Sequence, residues 1–156
     1  MISTSKKEPA VVENNDIIDV ELSNIKKKRF RINGDNNKIL ELNVSDMNIV
    51  SRIREAYPKL EAIQAKVLKF SESETTDEKG AEALKEFDKD MRELIDFIFN
   101  ANVSEICADD GSMYDPMGGM FRYEYIMDKI TSLYETNLNN EFKQMRARVN
   151  KYAKKK

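Results

Sequence analysis

The sequence contains no histidine and no tryptophan among its 156 residues. Histidine is the usual general base near neutral pH and the commonest protein ligand of transition metals. Its absence excludes a Ser-His-Asp triad or a Cys-His pair within one chain. Carboxylate chemistry with Mg²⁺ or Ca²⁺ is the remaining route to catalysis, and we expect the protein not to be an enzyme and to use no cofactor.

Cysteine is almost absent as well, since Cys107 is the only one. A single cysteine forms no internal disulfide, so the fold does not depend on oxidation. It also excludes a zinc site of the Cys/His type. Cys107 follows Val103 and Ile106, and this spacing predicts a buried thiol rather than a reactive one.

Long apolar runs are missing too. No stretch approaches the length of a membrane span, and the first residues lack the apolar segment of a signal peptide. We therefore expect a cytoplasmic protein with no membrane contact. The composition predicts a flexible N-terminal arm at residues 1–15, a single domain at residues 16–152 and a basic tail at residues 153–156.

Charges of both signs are present but unevenly distributed. Basic residues are concentrated at 26–31 and 143–156, whereas acidic residues are concentrated at 72–78 and 105–115. Opposite patches on one small protein suit self-association or a charged protein partner. The overall charge of −2 disfavours nucleic acid as the main partner, and the basic C-terminus is interpreted as a solvated helix end.

Residues 29–44 predict a β-hairpin. Two alternating apolar runs, 29–32 and 38–44, flank Asn33-Gly34, and both residues of that pair tolerate positive φ. Residues 16–22 are short and rich in β-branched side chains, so they are a candidate third strand. The side chains expected to face a helix beneath the hairpin are Phe30, Ile32, Leu40, Leu42 and Val44.

Helical spacing of apolar residues follows the hairpin. The first helix is predicted to begin at Ser45-Asp46, and Pro58 is predicted to kink it or to break it into two helices near Ala56-Tyr57. A short helix capped by Asn102 and a helix of about thirty residues from Gly119 onward complete the chain. The predicted stripe of the first helix is Val50, Ile53, Tyr57, Leu60 and Val67. A second helix is predicted after an acidic polar linker at residues 71–77, and its stripe is Leu84, Phe87, Met91, Leu94 and Ile98.

Together these elements predict a mostly helical α+β fold. An N-terminal hairpin of two or three short strands would pack on a bundle of about four helices, with the longest helix at the C-terminus.

The stretch Cys107–Gly119 interrupts this helical pattern with three of the five glycines and one of the three prolines. It carries oxygen ligands, but glycine comes too early for an EF-hand, and Met113 and Tyr114 occupy ligand positions. The adjacent carboxylates would repel a phosphate. Because the order of ligands does not match a calcium-binding loop, we expect no bound metal.

Two interpretations of this stretch are left open. In the first, it is a shaped connector with Met113, Tyr114 and Met117 turned inward. In the second, it binds a partner protein, because flexible methionines suit adaptable surfaces. Phe97 and Phe99 lie off the stripe of the second helix, which predicts either that the end of this helix is covered on more than one side or that it lies at an interface. The candidate partner-binding residues are Asp109, Asp110, Met113, Tyr114, Asp115, Met117, Phe97 and Phe99.

The order of elements resembles a known group of small phage proteins. A hairpin, Phe30–Gly34 with Lys38–Leu42, leads into a helix beginning at Ser45-Asp46, and a Val103–Cys107 segment precedes the last long helix. Over roughly residues 25–152 the chain resembles the tail assembly chaperones of long, non-contractile-tailed phages and prophages of Gram-positive bacteria.

This resemblance implies a non-enzymatic assembly factor of the bacterial host cytoplasm. Such proteins bind the tape-measure protein, help recruit tail-tube subunits and self-associate. In many relatives ribosomal frameshifting gives a longer product, and Lys154–Lys156 can be encoded by a slippery run of adenines, so we expect this chain to be the short product. Two alternatives stay open: a head-tail connector or tail protein retained in the virion, and a phage inhibitor of a host protein.

Overall fold

The computed structural model describes residues 16–22, 27–74 and 76–154. The predicted mostly helical α+β fold, with a hairpin near the N-terminus and four helices in these ranges, is confirmed. The predicted arm at 1–15, Lys26 of the N-terminal basic cluster and the last two residues of the basic tail lie outside the described residues. The elements are β1 (Lys28–Arg31), β2 (Ile39–Leu42), α1 (Asn48–Ser71), α2 (Asp77–Phe99), α3 (Val103–Ala108), β3 (Pro116–Met117), β4 (Met120–Phe121) and α4 (Arg122–Lys154).

β1 and β2 form the predicted hairpin. They pair antiparallel with Phe30 opposite Leu40, and Asn33 and Gly34 both adopt positive φ in the turn. Leu40 is fully buried and Phe30 packs against the core, so one face of the hairpin covers the helices as predicted. The candidate third strand is not formed, because residues 16–22 have no ladder partner among the described residues.

α1 begins at Asn48, later than predicted, because residues 43–47 form a turn. The Asp46 carboxylate accepts a hydrogen bond from the Asn48 amide at 2.9 Å. The predicted break at Pro58 is wrong, since a single helix runs through it. Pro58 and Arg54, whose carbonyl loses its donor, are both exposed, so water can hydrate that carbonyl.

The stripe predicted for α1 is also wrong for its first half. Val50 and Tyr57 are more than half exposed, and Ile49, Ala56 and Ile63 are buried instead. Both sets repeat at helical spacing, and packing against α2 selects the second set.

α2 buries the predicted stripe except for Leu84 at its outer end. The helix begins after Thr76, whose hydroxyl accepts a hydrogen bond from the Lys79 amide at 3.2 Å. It ends at Phe99, and the next residue, Asn100, adopts the left-handed conformation at φ 49°. One hydrophobic core joins the hairpin, α1, α2, α3 and the first turns of α4.

α4 continues far beyond this core. Tyr134 is its last buried residue among the described side chains. Asn137 then anchors the helix, because its Nδ2 donates to the Val44 carbonyl at 3.2 Å and to the Ser45 hydroxyl at 3.0 Å. Every residue from 139 to 151 is exposed. We call residues 139–154 the α4 arm.

Candidate functional site

Residues 109–121, which we call the connector, join α3 to α4. The Arg92 side chain of α2 forms hydrogen bonds with the connector. The Arg92 guanidinium lies 2.9 Å from the Asp88 carboxylate. It also donates from Nη2 to the Asp109 carbonyl at 3.2 Å and to the Gly111 carbonyl. Hydrogen bonds from a charged donor are stronger than neutral ones. Arg92 therefore fixes the start of the connector to α2.

The first residue of α4 holds the other end of the connector. Arg122 Nη2 lies 3.1 Å from the Asp115 carboxylate, and its Nε donates to the Ser112 carbonyl at 3.1 Å. The Asp115 carboxylate also accepts from the Ser112 amide at 3.0 Å. A Cβ at position 111 would lie 2.9 Å from the Arg122 guanidinium, so a larger residue there would displace the end of that side chain.

Two of the candidate partner-binding residues, Met113 and Phe99, are buried in the core. Met113 is fully buried, with its amide donating to the Asp88 carboxylate at 2.7 Å. Phe99 is 2 % exposed and packs on Tyr134 at 5.8 Å between ring centroids. Both side chains belong to the hydrophobic core, so neither presents a surface.

Tyr114 belongs to an aromatic cluster that the connector forms with α2 and α4. Its ring centroid lies 5.2 Å from that of Phe121, 5.3 Å from that of Tyr123 and 6.2 Å from that of Phe87. Burial raises the pKa of the Tyr114 phenol, and its hydroxyl has no hydrogen-bond partner among the described residues. The inward orientation predicted by the connector interpretation is confirmed for Met113, while Tyr114 and Met117 are half-buried.

The remaining candidates contact different elements rather than forming one surface. The Asp109 carboxylate lies 2.9 Å from Lys38 Nζ, a hydrogen bond that raises the pKa of this lysine and ties the connector to the hairpin. Phe97 is partly exposed beneath Lys59 of α1, whose Nζ lies 5.6 Å from the ring centroid. Asp110 is exposed.

The described part of the chain holds no group of three or more Cys, Asp or Glu side chains that could bind a metal ion. Cys107 is half-buried rather than buried, and burial raises the pKa of its thiol to about 11. At neutral pH it is therefore protonated and a poor nucleophile. No helix within the described ranges is long and apolar enough to cross a bilayer.

Cys107 lines a cleft of about 290 Å³ between the end of β1, the connector and the first turns of α4. Apolar side chains line part of this cleft, and three basic side chains border it. We call it the basic cleft, and its defining residues are Arg31, Arg122, Lys129, Ile32, Ile126 and Ile130.

The largest feature that sequence reasoning missed is the exposed side of the α4 arm. Phe142, Met145 and Val149 are 38, 53 and 63 % exposed. Together with the half-buried Leu138 they repeat every three or four residues, so they lie on one face, which we call the apolar stripe. The signal was a slip in the apolar phase between Leu133 and Leu138, which marks where the helix leaves the core.

Comparison with known proteins adds no family. No family model, no curated protein and no solved structure matches the chain. Function is therefore inferred from the residues and contacts of the chain itself.

Proposed function

We propose that the protein is a non-enzymatic assembly factor that binds another protein through the apolar stripe of the α4 arm. The observation that carries this proposal is the exposure of Phe142, Met145 and Val149 on one face of a helix that has left the core. Apolar patches of this kind mark interaction sites in soluble proteins. A helical extension this short is marginal in water by itself, so a partner that covers the stripe would also stabilise the helix.

The chemistry of the arm selects the kind of partner. The stripe has the spacing of a helix that packs against a second helix. The charged residues of the arm are mostly basic, and Arg146 lies beside the stripe, next to Phe142, Met145 and Val149. The best-matched partner is an amphipathic helix with acidic residues beside its apolar face, because opposite charges flanking the contact favour pairing.

More specifically, we propose a tail assembly chaperone of a long-tailed phage. In that role the partner would be the tape-measure protein, whose long apolar helices need cover before tail-tube subunits assemble around them. The order of hairpin and helices supports this assignment through its resemblance to the tail assembly chaperones. The absence of histidine and the high pKa of the Cys107 thiol support a non-enzymatic role.

Co-expression with a helical segment of the tape-measure protein from the same phage genome tests the proposal. We expect the chain to keep that segment in the soluble fraction and to co-purify with it. The double variant F142D/M145D should lose this activity. The control, Q144D/A147D, adds the same charges to the opposite face of the arm and should retain it.

Loss of activity in both variants, or in neither, would contradict the assignment of the stripe. Both pairs of positions are exposed, so circular dichroism and thermal melting should show folded protein in each case. Mass spectrometry of purified phage particles provides a second test. A chaperone should be missing from the particle, whereas a retained connector or tail protein would be found in it.

A further inference from the structure

The basic cleft brings apolar and basic side chains together around one cavity of about 290 Å³. Ile126 and Ile130 of α4 are buried, and Ile32 and Cys107 are half-buried beside the same cavity. Together with Met117 of the connector, they form the apolar part of its lining. The volume is close to the lower end of the roughly 300–1,000 Å³ that is typical of small-molecule sites. The cleft therefore has the size of a site for one small ligand.

The basic side chains of the cleft come from two elements. Arg31 is the last residue of β1, whereas Arg122 and Lys129 belong to the first turns of α4. The Asp115 carboxylate lies 3.1 Å from Arg122 and offsets its charge. Arg31 and Lys129 have no carboxylate partner within the described ranges. The Lys129 ammonium lies instead over the Tyr125 ring, 5.4 Å from its centroid.

The charge of the cleft selects the sign of its ligand. None of the described side chains that line it is acidic, so the two cations without carboxylate partners give the cleft a positive potential. A cleft lined by charge of one sign with low-dielectric walls attracts ligands of the opposite sign. A cationic ligand would be repelled, and a neutral one would gain nothing from Arg31 and Lys129.

The apolar lining selects the rest of the ligand. Burial of hydrocarbon against Ile126, Ile130 and Met117 is favourable by roughly 25 cal/mol for each Å² removed from water. A carboxylate is a small anion that attaches directly to a hydrocarbon, and a guanidinium can donate two parallel hydrogen bonds to it. The ligand that matches both parts of the cleft is a small apolar body that carries one carboxylate.

We propose that the basic cleft binds a small organic acid with an apolar body. The hydrocarbon part packs against the isoleucines of α4 and Met117, and Arg31 and Lys129 bind the carboxylate. Arg122 stays paired with Asp115 and keeps the connector side of the cleft in place. This site is independent of the proposed function, because no described residue of the α4 arm lines the cleft.

Methionine-methyl NMR of the full chain tests the proposal with octanoate as the probe. Met117 lines the cleft and Met145 lies on the apolar stripe, so one spectrum distinguishes the two surfaces. We expect octanoate to shift the Met117 signal saturably and to cause no saturable shift of Met145. Octanamide keeps the hydrocarbon without the charge, and acetate keeps the carboxylate without the long hydrocarbon. Each should bind at least about tenfold more weakly than octanoate.

Two double variants test the role of the cations. Arg31→Gln with Lys129→Gln should weaken octanoate binding by about tenfold or more. The matched control, Arg29→Gln with Lys66→Gln, removes the same charge from positions that do not line the cleft and should stay within about threefold of the wild type. All four side chains are exposed, so circular dichroism should show folded protein in both cases.

Any of three results would overturn the proposal. The first is the absence of a saturable Met117 shift up to about 10 mM octanoate, including the case in which only Met145 responds. The second is octanamide or acetate binding as tightly as octanoate, because one part of the cleft would then not contribute. The third is equal weakening by the two double variants, since net charge rather than the cleft would then attract the ligand.

Discussion

Substitution of Arg92 by alanine should lower the free energy of unfolding by more than the loss of any one of its hydrogen bonds would. The Arg92 guanidinium bonds to one carboxylate, on Asp88, and to the carbonyls of Ser104, Asp109 and Gly111. Its side chain is 21 % exposed, so these groups are largely shielded from water. Removal of Arg92 would leave the Asp88 carboxylate without its cation and free the start of the connector from α2.

The expected cost is about 2–3 kcal/mol, because a hydrogen bond to a charged group contributes roughly 1.5–3 kcal/mol and water can hydrate the more exposed carbonyls of the connector. For a protein of this size, that loss corresponds to a melting temperature lower by roughly 4–12 °C. Urea unfolding followed by circular dichroism measures the free energy directly.

Lys89→Ala is the matched control, since Lys89 lies on the same helix, carries the same charge and is exposed. It should change the free energy of unfolding by no more than about 0.5 kcal/mol. If Arg92→Ala were as mild as Lys89→Ala, the connector would not be held to α2 by this side chain, and the reasoning that assigns Arg92 that role would be refuted.

Two further predictions follow from the same region. Gly111→Ala should cost about 1–2 kcal/mol, because its Cβ would displace the Arg122 guanidinium, and the cost should be smaller in an Arg122→Ala background, where the Ala108 carbonyl oxygen at 3.2 Å is the remaining close contact, as urea unfolding of the double variant would reveal. Cys107 in the folded protein should react slowly with iodoacetamide up to pH 9 and gain rate as the pH approaches about 11, whereas the unfolded chain should react readily near pH 9. Because the folded pKa is the higher one, the stabilising contribution of this thiol is complete below pH 9 and is lost as the pH rises to about 11. A folded protein that reacts as fast as the unfolded chain at pH 9 would contradict the burial of Cys107.

The hairpin and the buried face of α2 could be predicted because their signals are local. Asn33-Gly34 sets the turn by its own backbone preference, and the stripe of α2 has no competing apolar face of similar length. α1 carries two overlapping apolar sets, one with Ile49 and Ala56 and one with Val50 and Tyr57. The sequence does not say which face meets α2, and so the predicted stripe was wrong.

The beginning of α3 shows why contacts distant in sequence escape such reasoning. Asn102 occupies the predicted capping position, but its side chain makes no capping hydrogen bond. The Asp96 carboxylate caps the helix instead, accepting from the Ser104 amide at 2.8 Å and from its hydroxyl at 2.7 Å. In the sequence, Asp96 was one of several carboxylates on the polar side of α2. Only the fold brings it to the end of another helix.

Contacts within the chain also change the interpretation of the connector. Its carboxylates and methionine were candidates for touching a partner, yet Asp115 binds Arg122 and the Met113 carbonyl accepts from the Tyr123 amide at 2.9 Å. These contacts fix the first turn of α4, and Asn137 fixes its middle to the turn that precedes α1. Because a helix transmits direction along its axis, two fixed points determine where the α4 arm leaves the core. In the proposed function, the connector would orient the apolar stripe, and residues beyond Asn137 would make the contact with the partner.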